Sequence, residues 1–145
     1  MTDIDSYNRQ VIAEFRARNG AVDGLPPGLS LLLLHHLGAR SGTEHVTPLA
    51  YWKISDTSVA VVASNFGSPV HPAWYHNLIA HPTTTVEIAA AIRGVRARVA
   101  APAERHQLLE RITADSPTVA AALSRTTRQI PVVILDLLEA GDSRT

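Results

Sequence analysis

The sequence contains no cysteine, which excludes disulfide bonds, thiolate nucleophiles, cysteine zinc sites and cysteine-ligated iron–sulfur clusters. Any redox chemistry must therefore come from a bound cofactor. The 13 Lys and Arg residues balance 13 Asp and Glu residues, so nucleic acid is not an expected partner. No apolar run approaches the roughly 20 residues of a transmembrane helix, and the first residues lack a signal-peptide pattern. We expect a cytoplasmic protein, and an amphipathic first helix leaves peripheral contact with a membrane open.

Hydrophobic residues make up 46% of the 145 residues, enough for one packed core, so we predict a single domain over 1–145. Hydrophobic periodicity predicts elements in the order α, β-β-β, α, β-β, α-α, β. Pro26 and Pro27 place a loop at 24–28. The predicted helices are 5–19, 72–80, one from Pro102 and one from Pro117, and the predicted strands are 30–37, 46–54, 58–63, 83–88, 92–100 and 130–138.

Short turns between neighbouring strands favour a mainly antiparallel sheet closed into a barrel or half-barrel. A parallel nucleotide-binding sheet is disfavoured, because the chain lacks both a βαβ alternation and a G-x-G-x-x-G loop. The sequence therefore predicts an α+β fold dominated by β-strands, with 1–29 as an N-terminal amphipathic helix and loop and 30–138 as the barrel core.

A glycine-flanked turn at 38–42 carries groups that suit a phosphate. Arg40 supplies a guanidinium and Ser41 a hydroxyl, and the two flanking glycines leave backbone N–H groups accessible. A solvated hairpin turn would have the same composition, so the turn alone leaves both interpretations open.

Two later segments also carry candidate ligand-binding groups. Ser64 and Asn65 begin a loop between a strand and a helix, where they could face a ligand or simply cap the helix. Trp74 and Asn77 lie three residues apart and share one face of that helix. An inward Asn77 needs hydrogen-bond partners, which either the backbone or a ligand could supply.

Metal and hydrolase chemistry find little support in the sequence. His71, His76 and His81 are five residues apart and would not converge on one side of a helix, so no metal site is expected. No G-x-S-x-G elbow places a serine nucleophile.

Five runs in the same order resemble the deazaflavin-dependent nitroreductase family and together cover most of the chain from about residue 31 to 135. They are LLLHHLGARSG at 32–42, VTPLAY at 46–51, VVASN at 61–65, HPAWYHNL at 71–78 and RQIPVV at 128–133. The resemblance implies a split β-barrel of about six strands and four helices that binds coenzyme F-420, an 8-hydroxy-5-deazaflavin with a phosphate and an oligoglutamate tail. It also implies hydride transfer to a small electron-poor acceptor: a quinone, a nitroaromatic or an activated alkene.

The resemblance assigns each site residue a role. Arg40 and Ser41 would hold the phosphate, and His45 stands where many members carry an arginine for the anionic tail. The other implied ligand-binding residues are Thr47 and Pro48 on the ring-binding strand, Ser64 and Asn65 near the ring and acceptor, and Trp74 and Asn77 in the wall beside them. Ser64 is the candidate catalytic residue, because its hydroxyl could hydrogen-bond to the acceptor oxygen or to the ring.

The chain departs from the family pattern in two places. His45 is only partly charged at neutral pH, so tail binding should depend on pH. The segment 116–128 has no tyrosine and instead carries Val119, Ala121, Ala122 and Leu123, which predicts an open, aliphatic acceptor pocket.

The sequence leaves two alternative functions open and predicts two kinds of partner. Two alternatives are a non-catalytic protein that carries the deazaflavin or a fatty acid on the same scaffold, and an FMN-dependent split-barrel enzyme. The expected partners are a small-molecule acceptor and, in a homodimer, a second copy of the chain.

Overall fold

A computed structural model describes residues 3–25 and 29–138, and the predicted loop residues 26–28 lie outside them. The helices are α1 Asp3–Ala17, α2 Ala73–Ala80, α3 Pro102–Asp115 and α4 Pro117–Ser124, and a 3-10 turn covers Asn65–Gly67. The strands are β1 Ser30–Leu37, β2 Glu44–Ser55, β3 Ser58–Val62, β4 Thr83–Ile88, β5 Ala91–Val99 and β6 Val132–Leu137. The element order is the predicted one, although α1 begins and ends two residues earlier than expected.

The six strands form a closed barrel in the order β1-β2-β3-β6-β5-β4, and every neighbouring pair is antiparallel. The predicted antiparallel barrel with four helices is confirmed. The final strand, β6, lies between β3 and β5, where its register joins Val62 to Val132 on one side and Val99 to Val133 on the other. Pairing of β1 with β4 closes the barrel.

The side chains of the strands form two apolar layers, one on each face of the sheet. Leu32 and Leu34 of β1 belong to the cluster that also contains Val86, Val95 and Leu135 from other strands. A second cluster on Ala60, Val132 and Ile134 is covered by α3 and α4, through buried residues such as Leu108 and Ile112. The strand period of two explains this division, because successive side chains point to opposite faces.

Helix α1 packs on its own barrel. Val11 and Phe15 are buried, and Phe15 is only 1% exposed. Arg16 donates two hydrogen bonds to the carboxylate of Glu87 on β4, at 3.1 and 2.7 Å. The guanidinium of Arg16 lowers the pKa of Glu87, and the hydrogen bond to His35 acts in the same direction.

The antiparallel order gathers the long connections at one end. The upper end of the barrel is where β1, β3 and β5 finish, so the connections 38–43, 63–72 and 100–131 all leave from there. The lower end carries the short turns 56–57 and 89–90. Segments far apart in the sequence therefore meet at the upper end.

Candidate functional site

The turn at 38–42 is held by its own backbone and by the Ser41 side chain. The Gly38 N–H donates to the carbonyl of Thr43 and the Gly42 N–H donates to the carbonyl of Gly38, both at 2.9 Å. The Ser41 hydroxyl accepts from the Thr43 N–H at 3.1 Å. A Cβ at residue 38 would overlap that hydroxyl, and Gly42 has φ +70°, so both glycines are required by the shape of the turn.

Arg40 is the charged group of this turn. Its side chain is exposed, and within residues 3–25 and 29–138 it makes no hydrogen bond or ion pair. The Ser41 oxygen accepts one hydrogen bond, which leaves its own hydrogen for a further acceptor. A cation and a hydroxyl donor on one rigid turn fit the anionic group that the family resemblance implies.

Asn77 of α2 anchors the turn from behind. It is 8% exposed, and its Oδ1 accepts from the Ala39 N–H at 2.9 Å. Its Nδ2 donates to Nδ1 of His36 at 2.9 Å, and Nε2 of His36 lies 2.9 Å from the Thr47 hydroxyl. Protein groups therefore supply the partners of Asn77, which decides between the two alternatives left open by the sequence.

His36 is the centre of this network and is 5% exposed. Burial, with a smaller effect from the neighbouring His45 and His35, lowers the pKa of His36 to about 4. The imidazole is therefore neutral at pH 7. The exposed His45 ring is stacked near it, with the ring centroids 5.4 Å apart. His45 thus lies beside the turn, as its predicted contact with an anionic tail requires.

The loop 64–71 is organised around Arg128, which immediately precedes the segment leading into β6. The Arg128 guanidinium donates to the carbonyls of Ala63, Ser64 and Ser68 at 3.3, 2.9 and 3.1 Å. It also donates to Nδ1 of His71 at 2.6 Å. Burial and then the Arg128 charge lower the pKa of His71.

Sequence analysis did not identify Arg128 as a site-forming residue. Its partners are 57 to 65 residues away along the chain, and no local pattern reveals such contacts. The RQIPVV run contained it, but only as part of a family pattern.

Ser64 and Asn65 are held by backbone contacts of this loop. Asn65 has φ +47° and its side-chain amide donates to the Val70 carbonyl at 3.1 Å. The Ser64 hydroxyl has no hydrogen-bond partner among the described residues. A fixed backbone with a free hydroxyl is consistent with the predicted role of Ser64 towards a ligand.

Trp74 and two residues of the 116–128 segment, Val119 and Ala122, are buried. Trp74 is 7% exposed and packs in the barrel cluster beside Leu78. Val119 and Ala122 are 8% and 4% exposed, and Val119 packs against the barrel with α3. The expectation that Val119 lines an open pocket is wrong, because its side chain belongs to the apolar layer between helix and sheet.

A cavity of about 440 Å³ lies at the other end of the barrel, between the end of α1, Tyr51 and Ala89. Its two charged residues, Arg18 and Asp23, are paired with each other at 2.9 Å. This cavity therefore lies apart from the turn and loop described above.

Two further properties follow from the described part of the chain. No group of three metal-ligating side chains is found there. None of the described helices is both long and apolar enough to cross a membrane.

Comparison with known proteins shows to which family this sequence belongs. Residues 7–136 match the family described as F420H2-dependent quinone reductase. The F420H2-dependent quinone reductase Rv1261c of Mycobacterium tuberculosis is 36% identical over 132 residues, which cover 85% of each chain.

Two solved structures share the fold. One, described as a domain-swapped dimer, has a TM-score of 0.68 at 29% identity and covers 93% of this chain and all of its own. The other, the F420-H2 dependent reductase FDR-A, has a TM-score of 0.66 at 31% identity and covers 80% of this chain and all of its own. The chain belongs to the F420H2-dependent quinone reductase family.

Proposed function

We propose that this protein catalyses the reduction of a quinone by reduced coenzyme F-420. When bound, the reduced deazaflavin would supply the hydride, and a proton would complete the hydroquinone while the coenzyme is oxidised. Membership of the family supports the reaction class and the coenzyme. The observation that carries the assignment of the site is Arg40, an exposed guanidinium with no partner among the described residues, on a rigid turn at the upper end of the barrel.

The turn would hold the anionic part of the coenzyme. The Arg40 guanidinium and the Ser41 hydroxyl bind the phosphate, because both have hydrogens that no described residue accepts. His45, stacked beside the same turn, contacts the oligoglutamate tail.

The ring would lie between β2 and the loop 64–71. From β2, the Thr47 side chain would face the ring, and Pro48 would follow it on the strand with its side chain on the opposite face. Ser64 and Asn65 would face the ring from the loop. Trp74 and Asn77 form the wall mainly by supporting these segments from within. The Ser64 hydroxyl donates a hydrogen bond to the quinone oxygen as negative charge develops there, and protein groups around the ring exclude water.

The experiment compares coenzyme binding and turnover in the wild type and in Arg40→Ala. A charged hydrogen bond contributes about 1.5–3 kcal/mol, so the variant should bind F-420 roughly 10- to 150-fold more weakly. Arg93→Ala is the matched control, because Arg93 is also exposed but lies near the start of β5, at the lower end of the barrel. Binding is followed by coenzyme fluorescence, and turnover by oxidation of the reduced coenzyme with a soluble quinone.

Three outcomes would contradict the proposal. Equal affinity of wild type and Arg40→Ala would remove the phosphate assignment. Tighter binding of FMN than of F-420 would favour the flavin enzyme. Tight F-420 binding without quinone-dependent oxidation would favour the non-catalytic carrier.

We further propose that two copies can associate, since one structural neighbour is a domain-swapped dimer. Light scattering of the purified protein checks this, and a monomer at micromolar concentration would refute it. A cytoplasmic location, with or without peripheral membrane contact, stays a prediction.

A further inference from the structure

The hydrogen bonds between the turn and β2 have only one possible direction. The series of hydrogen bonds begins at the Ala39 N–H. This group can only donate, so the atom of Asn77 that accepts its hydrogen bond must be the amide oxygen. The other end of that amide is then the NH₂ group, which donates to Nδ1 of His36. Nδ1 must therefore be unprotonated.

The remaining proton of His36 consequently lies on Nε2. A neutral imidazole carries one N–H, and Nε2 is 2.9 Å from the Thr47 hydroxyl oxygen. The burial that lowers the pKa of His36 excludes the doubly protonated form at neutral pH. The neighbouring His45 and His35 also lower the pKa of His36.

Thr47 is thus the last residue in a series of hydrogen bonds that all donate in the same direction. Its oxygen accepts from His36, so its own hydrogen must be donated to another group. No acceptor for that hydrogen is found among residues 3–25 and 29–138. The Thr47 side chain is half-buried on β2, two residues from His45 and beside Pro48.

We propose that the Thr47 hydroxyl is a specificity-determining donor to the coenzyme ring, and that Asn77 and His36 are positioning residues that fix its direction. This inference rests on the proposed function. The group that Thr47 recognises is a carbonyl oxygen or an unprotonated ring nitrogen. A ring that presents an N–H at this point would face a second donor and would bind less well, because both groups would lose their hydrogen bonds.

The same series of hydrogen bonds connects the two ends of the proposed coenzyme site. Ala39 lies next to Arg40 in the anion-binding turn, and Thr47 lies on the strand that lines the ring. Movement of one segment would break a hydrogen bond of the buried network that holds the other. The distance between the phosphate contacts and the ring contact is therefore fixed before the coenzyme binds, which lowers the ordering cost of binding.

The first measurement is of the free protein and does not depend on any coenzyme. ¹⁵N-detected NMR of the histidine side chains at pH 7 should show His36 as the neutral tautomer with its proton on Nε2. A proton on Nδ1, or an imidazolium, would overturn the inference.

The second measurement is the dissociation constant of F-420. Thr47→Val keeps the shape of the side chain but removes the hydroxyl, and should raise the constant about 5- to 10-fold, the usual effect of one neutral hydrogen bond. Thr47→Ser should restore binding to within about twofold of wild type. Thr85→Val, the same change at a half-buried position of β4, is the control and should bind like wild type.

The third measurement tests His36 as a positioning residue. A glutamine at residue 36 can donate from the position of Nε2, so His36→Gln should keep F-420 affinity within about threefold, whereas His36→Leu should match Thr47→Val. Equal binding by wild type and Thr47→Val would overturn this inference while leaving the proposed function intact. Failure of wild type to bind F-420 at all would overturn both.

Discussion

Acid should destabilise this protein through one buried histidine. The pKa of His36 is about 4 in the folded protein, against 6.5 for the ordinary side chain. Because the folded value is depressed, the unfolded chain takes up a proton below pH 6.5 that the folded chain refuses until about pH 4. The resulting loss of stability is small at pH 7 and grows as the pH falls through this window.

The magnitude follows from the two pKa values. The full difference corresponds to roughly 3 kcal/mol, and about 2 kcal/mol of it should be lost between pH 7 and pH 5. With a urea dependence of about 1–3 kcal/mol per molar, the unfolding midpoint should fall by about 1 M over that range.

The assay is urea unfolding at pH 7, 6 and 5 in the wild type and in His36→Gln. The variant lacks the titrating group, so the difference in unfolding free energy between the two proteins should shrink by about 2 kcal/mol from pH 7 to pH 5. The control is His106→Gln, because the His106 side chain on α3 is 75% exposed. A difference between wild type and His36→Gln that stays constant with pH would refute the assignment of His36 as a buried neutral group.

Two other substitutions test how the site is held. Gly38→Ala would place a methyl group against the Ser41 hydroxyl, so F-420 should bind about 10-fold more weakly in a fluorescence titration. Gly24→Ala also strains the backbone, at φ +86°, but lies outside the turn and should not change binding; equal affinities of the two variants would contradict the turn geometry. Arg128→Lys loses the planar fork that serves three carbonyls and His71, and should lower the free energy of unfolding by about 3 kcal/mol. Arg125→Lys, at an exposed position nearby, is its control, and similar losses in both variants would show that the Arg128 contacts contribute little.

Much of the fold could be predicted from local patterns. The strands at 30–37 and 83–88 have the predicted bounds, and Gly38 ends the first while Pro82 precedes the second. The position of β6 between β3 and β5 could not be predicted, since the choice of neighbours depends on packing between segments more than 30 residues apart. The 3-10 turn at 65–67 was also not predicted, because Asn65 adopts its positive φ through a contact with Val70.

The site was predictable to the extent that it depends on residue types within one segment. Two glycines around Arg40 and Ser41 predicted a turn, and the structure has the tight turn that those glycines permit, whereas anion binding there stays a prediction. The network of Asn77, His36 and Thr47 was not predictable, because it joins residues 11 to 41 positions apart. Consecutive residues such as His35 and His36 point to opposite faces of a strand, but the sequence does not tell which of the two is buried.

The long connections gather at one end of the barrel, so they can change in sequence independently of the strands. The ladder of the barrel ends at Val132 and does not include the segment 116–128, so changes there need not disturb strand pairing. Exposed positions of that segment can therefore change without disturbing the turn at 38–42 or the pairing of the strands. A graft of this segment from a relative should leave the barrel intact.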